Sequence, residues 1–184
     1  GFSGSGIQDT SVPPLNEARL TRNVRANVAY GLSESSISGY TPSAWSCLVG
    51  EGAAVEGASI TLSEGESAVC TITNDDAPPT ITVVKKVVND NGGNAGVNDF
   101  GLTIGGTAVQ SGVALEVAAN QAYALTEAGL AGYEFVSIGA GAGDSAQCPD
   151  VLNGTVVPFE GETITCTIVN PDIAPQLTLV KTVV

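Results

Sequence analysis

The chain contains three lysines, and all of them fall in two copies of one short pattern: ITVVKKVV, which holds Lys85 and Lys86, and LTLVKTVV, which holds Lys181. Lys85 and Lys181 occupy the same place in that pattern. As a strand, the segment puts Ile81, Val83, Lys85 and Val87 on one face, so the ammonium points at a core. An unpaired charge there is costly. Burial lowers the proton affinity of the amine and can leave it a neutral nucleophile. Two further pairs of polar residues sit on apolar faces. Glu34 and Glu127 are equivalent to each other, as are Asn74 and Asn170, each four residues after a cysteine. Each residue also has an ordinary reading. Lys85 could snorkel to solvent, Glu127 could be a carboxylate beside a turn, and Asn170 could end a strand.

The elements that must position these groups come from an internal repeat. Residues 63–88, SEGESAVCTITNDDAPPTITVVKKVV, align without a gap to 159–184, FEGETITCTIVNPDIAPQLTLVKTVV, with 14 of 26 positions identical. YGLSESSISGY (30–40) aligns to YALTEAGLAGY (123–133). A period of this size suits a sandwich domain, not a short solenoid repeat. Tyr123, Leu125 and Glu127 share a strand face, as do Cys166, Ile168 and Asn170. Gly/Asn/Asp/Ser clusters separate these short strands, a pattern that predicts antiparallel β-sandwiches. One such cluster, NDNGGNAGVND (89–99), hints at a calcium loop but lacks the distal Glu. DDAPP (75–79) and PDIAP (171–175) read as short, stiff linkers.

Residues 79–175 make one complete unit, from a KKVV-type strand to a CTI-N strand. Residues 1–78 read as a unit without its first strand, with Phe2 standing where Phe100 stands. Residues 176–184 read as a first strand belonging to a following or neighbouring repeat. Two arrangements fit. The chain is a window on a longer array, or its last strand is available for donation to the first unit of another copy. Head-to-tail contacts of the second kind make filaments.

Four cysteines allow three connectivities. The repeat assigns two to each unit, so the expected pairs are Cys47–Cys70 and Cys148–Cys166, and paired cysteines imply an exported protein. No His and no Cys-x-x-Cys spacing occur in the sequence, which speaks against zinc. The formal net charge of −13 disfavours nucleic acid and anionic membrane surfaces. No apolar run reaches the ~18 residues of a membrane span. The sequence has no Met, so the expectation is a processed product or a piece of a longer chain. Without His, Ser–His and Cys–His catalysis are unavailable. Carboxylate-only glycosidase chemistry remains open in principle, with no pocket-forming insertion to support it. Trp45, Tyr40 and Tyr133 read as core or motif residues before a glycan platform. Arg19, Arg22 and Arg25 read as solvent-facing partners of the acidic surface before a binding patch. Asn153-Gly-Thr is a formal glycosylation sequon.

Leu-x-Glu followed by Gly-Tyr (Leu32, Glu34, Gly39, Tyr40; Leu125, Glu127, Gly132, Tyr133), together with the order Lys strand, Glu motif, Asn strand, resembles the Cna B-type, or SpaA-like, prealbumin-fold repeats of bacterial adhesin stalks and pili. The resemblance covers both units. It implies an all-β, immunoglobulin-like fold and a spontaneous isopeptide bond, in which Lys85 attacks the side-chain amide of Asn170 with Glu127 as the acid. The chemistry is self-consistent: burial favours a neutral amine and a protonated carboxyl, and the carboxyl polarises the amide and shuttles protons as ammonia leaves. In the first unit the corresponding set is Glu34, Asn74 and a lysine from elsewhere, which under strand donation is Lys181 of a neighbouring copy. Disulfides depart from many isopeptide repeats, since one staple can make another unnecessary.

The expected function is therefore a non-enzymatic structural subunit of an extracellular surface fibre or stalk. It needs no cofactor or metal, and its main partner is itself. The competing expectation is an adhesive module that binds a host or matrix ligand through loops at the sandwich ends.

Overall fold

The computed structural model describes residues 19–183, together with the backbone of two short strands nearer the N-terminus. The chain divides into two compact units, Gly1–Ala77 and Pro78–Val184. Each is built of short β-strands, and no α-helix occurs among the described residues.

The N-terminal unit contains β1 (Phe2–Gly4), β2 (Ile7–Gln8), β3 (Ala29–Glu34), β4 (Tyr40–Pro42), β5 (Ser46–Val49), β6 (Ala54–Glu56), β7 (Ser59–Thr61), β8 (Ala68–Thr71) and β9 (Asn74–Asp76). They form a β2-β1-β3-β7 sheet, a β6-β5-β8 sheet and a β4-β9 pair. The C-terminal unit contains β10 (Thr80–Val88), β11 (Leu102–Ile104), β12 (Thr107–Val109), β13 (Ala114–Glu116), β14 (Tyr123–Glu127), β15 (Ser137–Ile138), β16 (Thr155–Val156) and β17 (Thr163–Pro171), with one turn of 3-10 helix at Val97–Asp99. Its two sheets run β13-β10-β17-β15 and β12-β11-β14-β16.

The sandwich is antiparallel, as the pattern predicts, with one exception. β10 and β17 pair in parallel along their whole length, from Thr80 opposite Thr163 to Val88 opposite Pro171. A parallel pair needs a long crossover, and here the rest of the unit supplies it.

Period-2 alternation explains the core. β10 buries Ile81, Val83 and Lys85, and β17 buries Ile164, Cys166, Ile168 and Asn170. These meet Leu102, Ile104, Leu125, Ile138 and Val156 of the other strands. Each fully buried Ile or Leu contributes roughly 1.5–3 kcal/mol.

The repeat is visible in the local geometry. Asn27 and Asn120 both adopt φ of 59°, and their side-chain amides donate to Glu64 and Glu160 respectively. The glycine of each Gly-Tyr motif needs the left-handed region, with φ of 82° at Gly39 and 85° at Gly132. Tyr40 pairs with Asp76 as Tyr133 does with Asp172.

Two expectations change in detail. Phe2 lies opposite Glu34, while Leu102 lies opposite Glu127. Phe2 therefore matches Leu102 in register and not Phe100. The segments read as linkers begin later than expected, because β9 extends to Asp76 and β17 to Pro171. Residues 173–183 carry no strand within a single chain, and Leu177 and Leu179 are 85% and 86% exposed.

Candidate functional site

In the C-terminal unit three neighbouring strands bring the amine, carboxyl and carboxamide together. Lys85 is 4% exposed and Asn170 is 2% exposed. They project from the paired strands β10 and β17, and Glu127 reaches them from the end of β14 in the facing sheet. Lys85 Nζ donates to Asn170 Oδ1 at 2.5 Å and lies 2.6 Å from Glu127 Oε2. Asn170 Nδ2 donates to Glu127 Oε1 at 2.7 Å. The three groups close a ring of contacts, with the amine against the carbonyl oxygen and the carboxyl against both nitrogens.

Neighbouring residues shield this cluster. Lys85 Nζ sits 4.1 Å from the centroid of the Phe100 ring, a cation–π contact. The Phe100 ring meets Tyr133 edge to face, with centroids 5.6 Å apart. The Tyr133 hydroxyl donates to Asn89 Oδ1 at 2.6 Å and accepts from Ala95 N at 2.8 Å. The backbone N–H of Lys85 donates to Ser111 Oγ at 2.8 Å. Desolvation pushes the Lys85 ammonium below the ordinary lysine range. The hydrogen bond and charge of Glu127 pull the other way without restoring it. Phe100 and Ser111 carried no periodic signal that would place them here.

The N-terminal unit holds the matching carboxyl and carboxamide. Asn74 Nδ2 donates to Glu34 Oε1 at 2.6 Å. The second oxygen, Glu34 Oε2, is buried and has no partner. Lys181, the third candidate, lies in the exposed C-terminal segment.

The loop after β10 is organised by a residue that pattern reading assigned to a linker. Asp172 is 6% exposed. Its carboxylate accepts from the backbone N–H groups of Asp90, Asn91 and Gly93. Desolvation works to raise its pKa, but the N–H groups of Gly93, Asp90 and Asn91 outweigh it and hold the carboxyl down at about 2. The loop that hinted at calcium thus turns backbone donors inward onto an anion, the wrong polarity for a cation.

Both cysteine pairs are bonded. Cys47 and Cys70 stand directly opposite each other on β5 and β8. Cys148 reaches Cys166 of β17 from a loop, with Cα atoms 5.7 Å apart. Among the weaker candidates, Trp45 is half-buried, Tyr40 is 40% exposed, and Arg22 and Arg25 are exposed. Asn153 is exposed, at φ of 65°.

Two consecutive prealbumin-like sandwiches, each with a hydrogen-bonded carboxyl–carboxamide pair and its own disulfide, define a tandem structural module of the immunoglobulin-like kind. The chain belongs to the SpaA-like "Prealbumin-like fold domain" family, which it matches over residues 5–72 and 76–168. Domains of this family are structural modules of pili and surface adhesins. No curated protein and no solved structure matches the chain.

Proposed function

We propose that the chain is a structural subunit of an extracellular surface fibre or stalk. Its C-terminal unit locks itself with an isopeptide bond between Lys85 and Asn170. The observation that carries this reading is the buried ring of Lys85, Glu127 and Asn170, with all three contacts between 2.5 and 2.7 Å.

The arrangement supports a balanced reaction. The neutral amine attacks Asn170 Cγ, whose oxygen it already touches. The Nζ–Cγ bond forms and the Cγ–Nδ2 bond breaks. Glu127 takes a proton from Nζ and delivers it to the departing nitrogen, which leaves as ammonia. Phe100 and the closed core keep water from competing for the carbonyl. The step occurs once per molecule, so it is assembly chemistry and not turnover.

Copies join head to tail, by strand addition or by tandem repetition, outside the cell, where the disulfides persist. The test is intact mass on reduced, denatured protein. The expected value is one ammonia below the sequence mass for this bond, with the full mass restored in Lys85→Arg. Wild-type protein at the full sequence mass would remove the crosslink from the proposal.

A further inference from the structure

We infer that residues 177–183 of a second copy fill a vacant strand position in the N-terminal unit, parallel to β8 and β9, and that Lys181 of that copy bonds to Asn74. The covalent part rests on the reading of Lys85, Glu127 and Asn170 given above.

The first support is the sheet order. In the C-terminal unit β17 has β15 on one side and β10 on the other. In the N-terminal unit β8 has β5 on one side, and among the described residues no strand lies on the other. β8 is therefore an edge whose unpaired backbone groups can template another strand.

The second support is burial. Ile164, Cys166, Ile168 and Leu125 are each 0% exposed, covered in part by Ile81 and Val83 of β10. Their counterparts Ala68, Cys70, Ile72 and Leu32 are only half-buried. Among the described residues, the N-terminal unit thus has the same inward face with no strand sealing it.

The third support is the Glu34 carboxyl. Its Oε1 accepts from Asn74 as Glu127 Oε1 accepts from Asn170. Glu34 Oε2 is buried and unpartnered at the post where Lys85 Nζ meets Glu127 Oε2. A buried carboxylate oxygen left without a partner is costly and calls for a cation or donor.

The C-terminal segment has the matching complement. Leu177, Leu179, Lys181 and Val183 repeat the phase of Ile81, Val83, Lys85 and Val87. Leu177, Leu179 and Val183 are 85%, 86% and 81% exposed. Carrying over the β10–β17 register puts Leu177 opposite Ala68, Leu179 opposite Cys70, Lys181 opposite Ile72 and Val183 opposite Asn74. The segment leaves its own unit at the far end of β17. Residue 79 enters that unit a nine-residue strand away, about 30 Å. Only residues 174–176 separate Ile173 from Leu177, a reach of about 14 Å. That geometry favours another copy over a return along the same chain.

In the bonding step, Lys181 Nζ joins Asn74 Cγ, the Cγ–Nδ2 bond breaks, and Nδ2 leaves as ammonia with one proton from Nζ carried by Glu34.

The test mixes two variants of the full chain, Lys181→Ala and Asn74→Ala. Each lacks one half of the junction and keeps the other. The expected product is a single dimer that survives boiling and reductant, with no higher ladder. Peptide mapping should place its link between Asn74 and Lys181. Each unmixed variant should run as a monomer one ammonia light, from the Lys85–Asn170 bond alone. That mass separates failure of the junction from failure of the bond within the C-terminal unit. The inference is overturned if no dimer forms, if Asn74 is found linked to any other lysine, or if wild-type protein is a monomer two ammonias light.

Discussion

Asn74 donates to Glu34 at 2.6 Å, almost the 2.7 Å at which Asn170 donates to Glu127. The two pairs are near-copies in units that share a sequence repeat, but only the second has a lysine against it. That lysine changes the energetics. Lys85 shares its interior position with a carboxyl whose contacts it completes, whereas the Glu34 carboxyl keeps one oxygen unpartnered.

Removing either side of the Lys85–Glu127 contact separates chemistry from packing. Glu127→Gln keeps the shape and a hydrogen-bonding group but cannot carry a proton. It should fold, as judged by circular dichroism, and stay at full mass. Lys85→Ala should also stay at full mass. Before any crosslink is counted, it should lose about 3–5 kcal/mol in denaturant unfolding, because a buried carboxylate is left unpaired. A Glu127→Gln protein that still loses ammonia would show that the carboxyl is not the proton carrier.

Asp172 sets the response to acid. Its carboxyl is held at about 2, against an ordinary 3.8. A depressed carboxyl stabilises the fold fully above the ordinary value, and that stability is lost as pH falls toward the folded value. Wild-type protein should therefore lose stability between about pH 4 and 2. Asp172→Asn should have a lower melting midpoint at neutral pH and a flatter curve across that window. Equal slopes for the two proteins would show that the nest around Asp172 contributes nothing.

Tyr133→Phe keeps the ring against Phe100 and removes the hydroxyl that joins Asn89 to Ala95. The expected loss is about 1 kcal/mol, with faster amide exchange confined to residues 89–96. Exchange that accelerates throughout β10 and β17 would mean the hydroxyl supports more than its loop.

Cys148→Ala combined with Cys166→Ala should cost about 3 kcal/mol, because the bond closes an 18-residue separation and Cys166 is fully buried. If the Lys85–Asn170 bond has formed, it already restrains β17, and the loss should be smaller than in a Lys85→Arg background. Equal losses in the two backgrounds would mean the two restraints act independently.

Alternation was enough to put Lys85, Glu127 and Asn170 on inward faces, because a two-residue period survives in sequence wherever a strand has one buried side. The repeat placed both disulfides for the same reason of internal comparison. The parallel pairing of β10 with β17 was not legible. Register between strands 83 residues apart depends on the whole intervening sandwich and not on any local pattern. Asp172 was hidden differently. Its neighbours Pro171 and Pro175 read as a linker, and the loop that wraps it carries Asn and Asp residues whose side chains suggested a cation. The decisive groups are backbone N–H donors, which every sequence has and no composition reveals. Phe100 was visible only as a landmark of the repeat, since an aromatic over an ammonium depends on a loop path.

The side-by-side course of β10 and β17 also decides how the C-terminal unit meets tension. Pulling at Thr80 and at Pro171 drags two parallel neighbours past each other lengthwise. The ladder between them must then yield together across nine rungs and cannot peel open one rung at a time. With Lys85 fastened to Asn170, a pull would pass from the first strand straight into the last. The loops and strands in between would be spared, and the sandwich would behave as a strut whose strength resides in one seam.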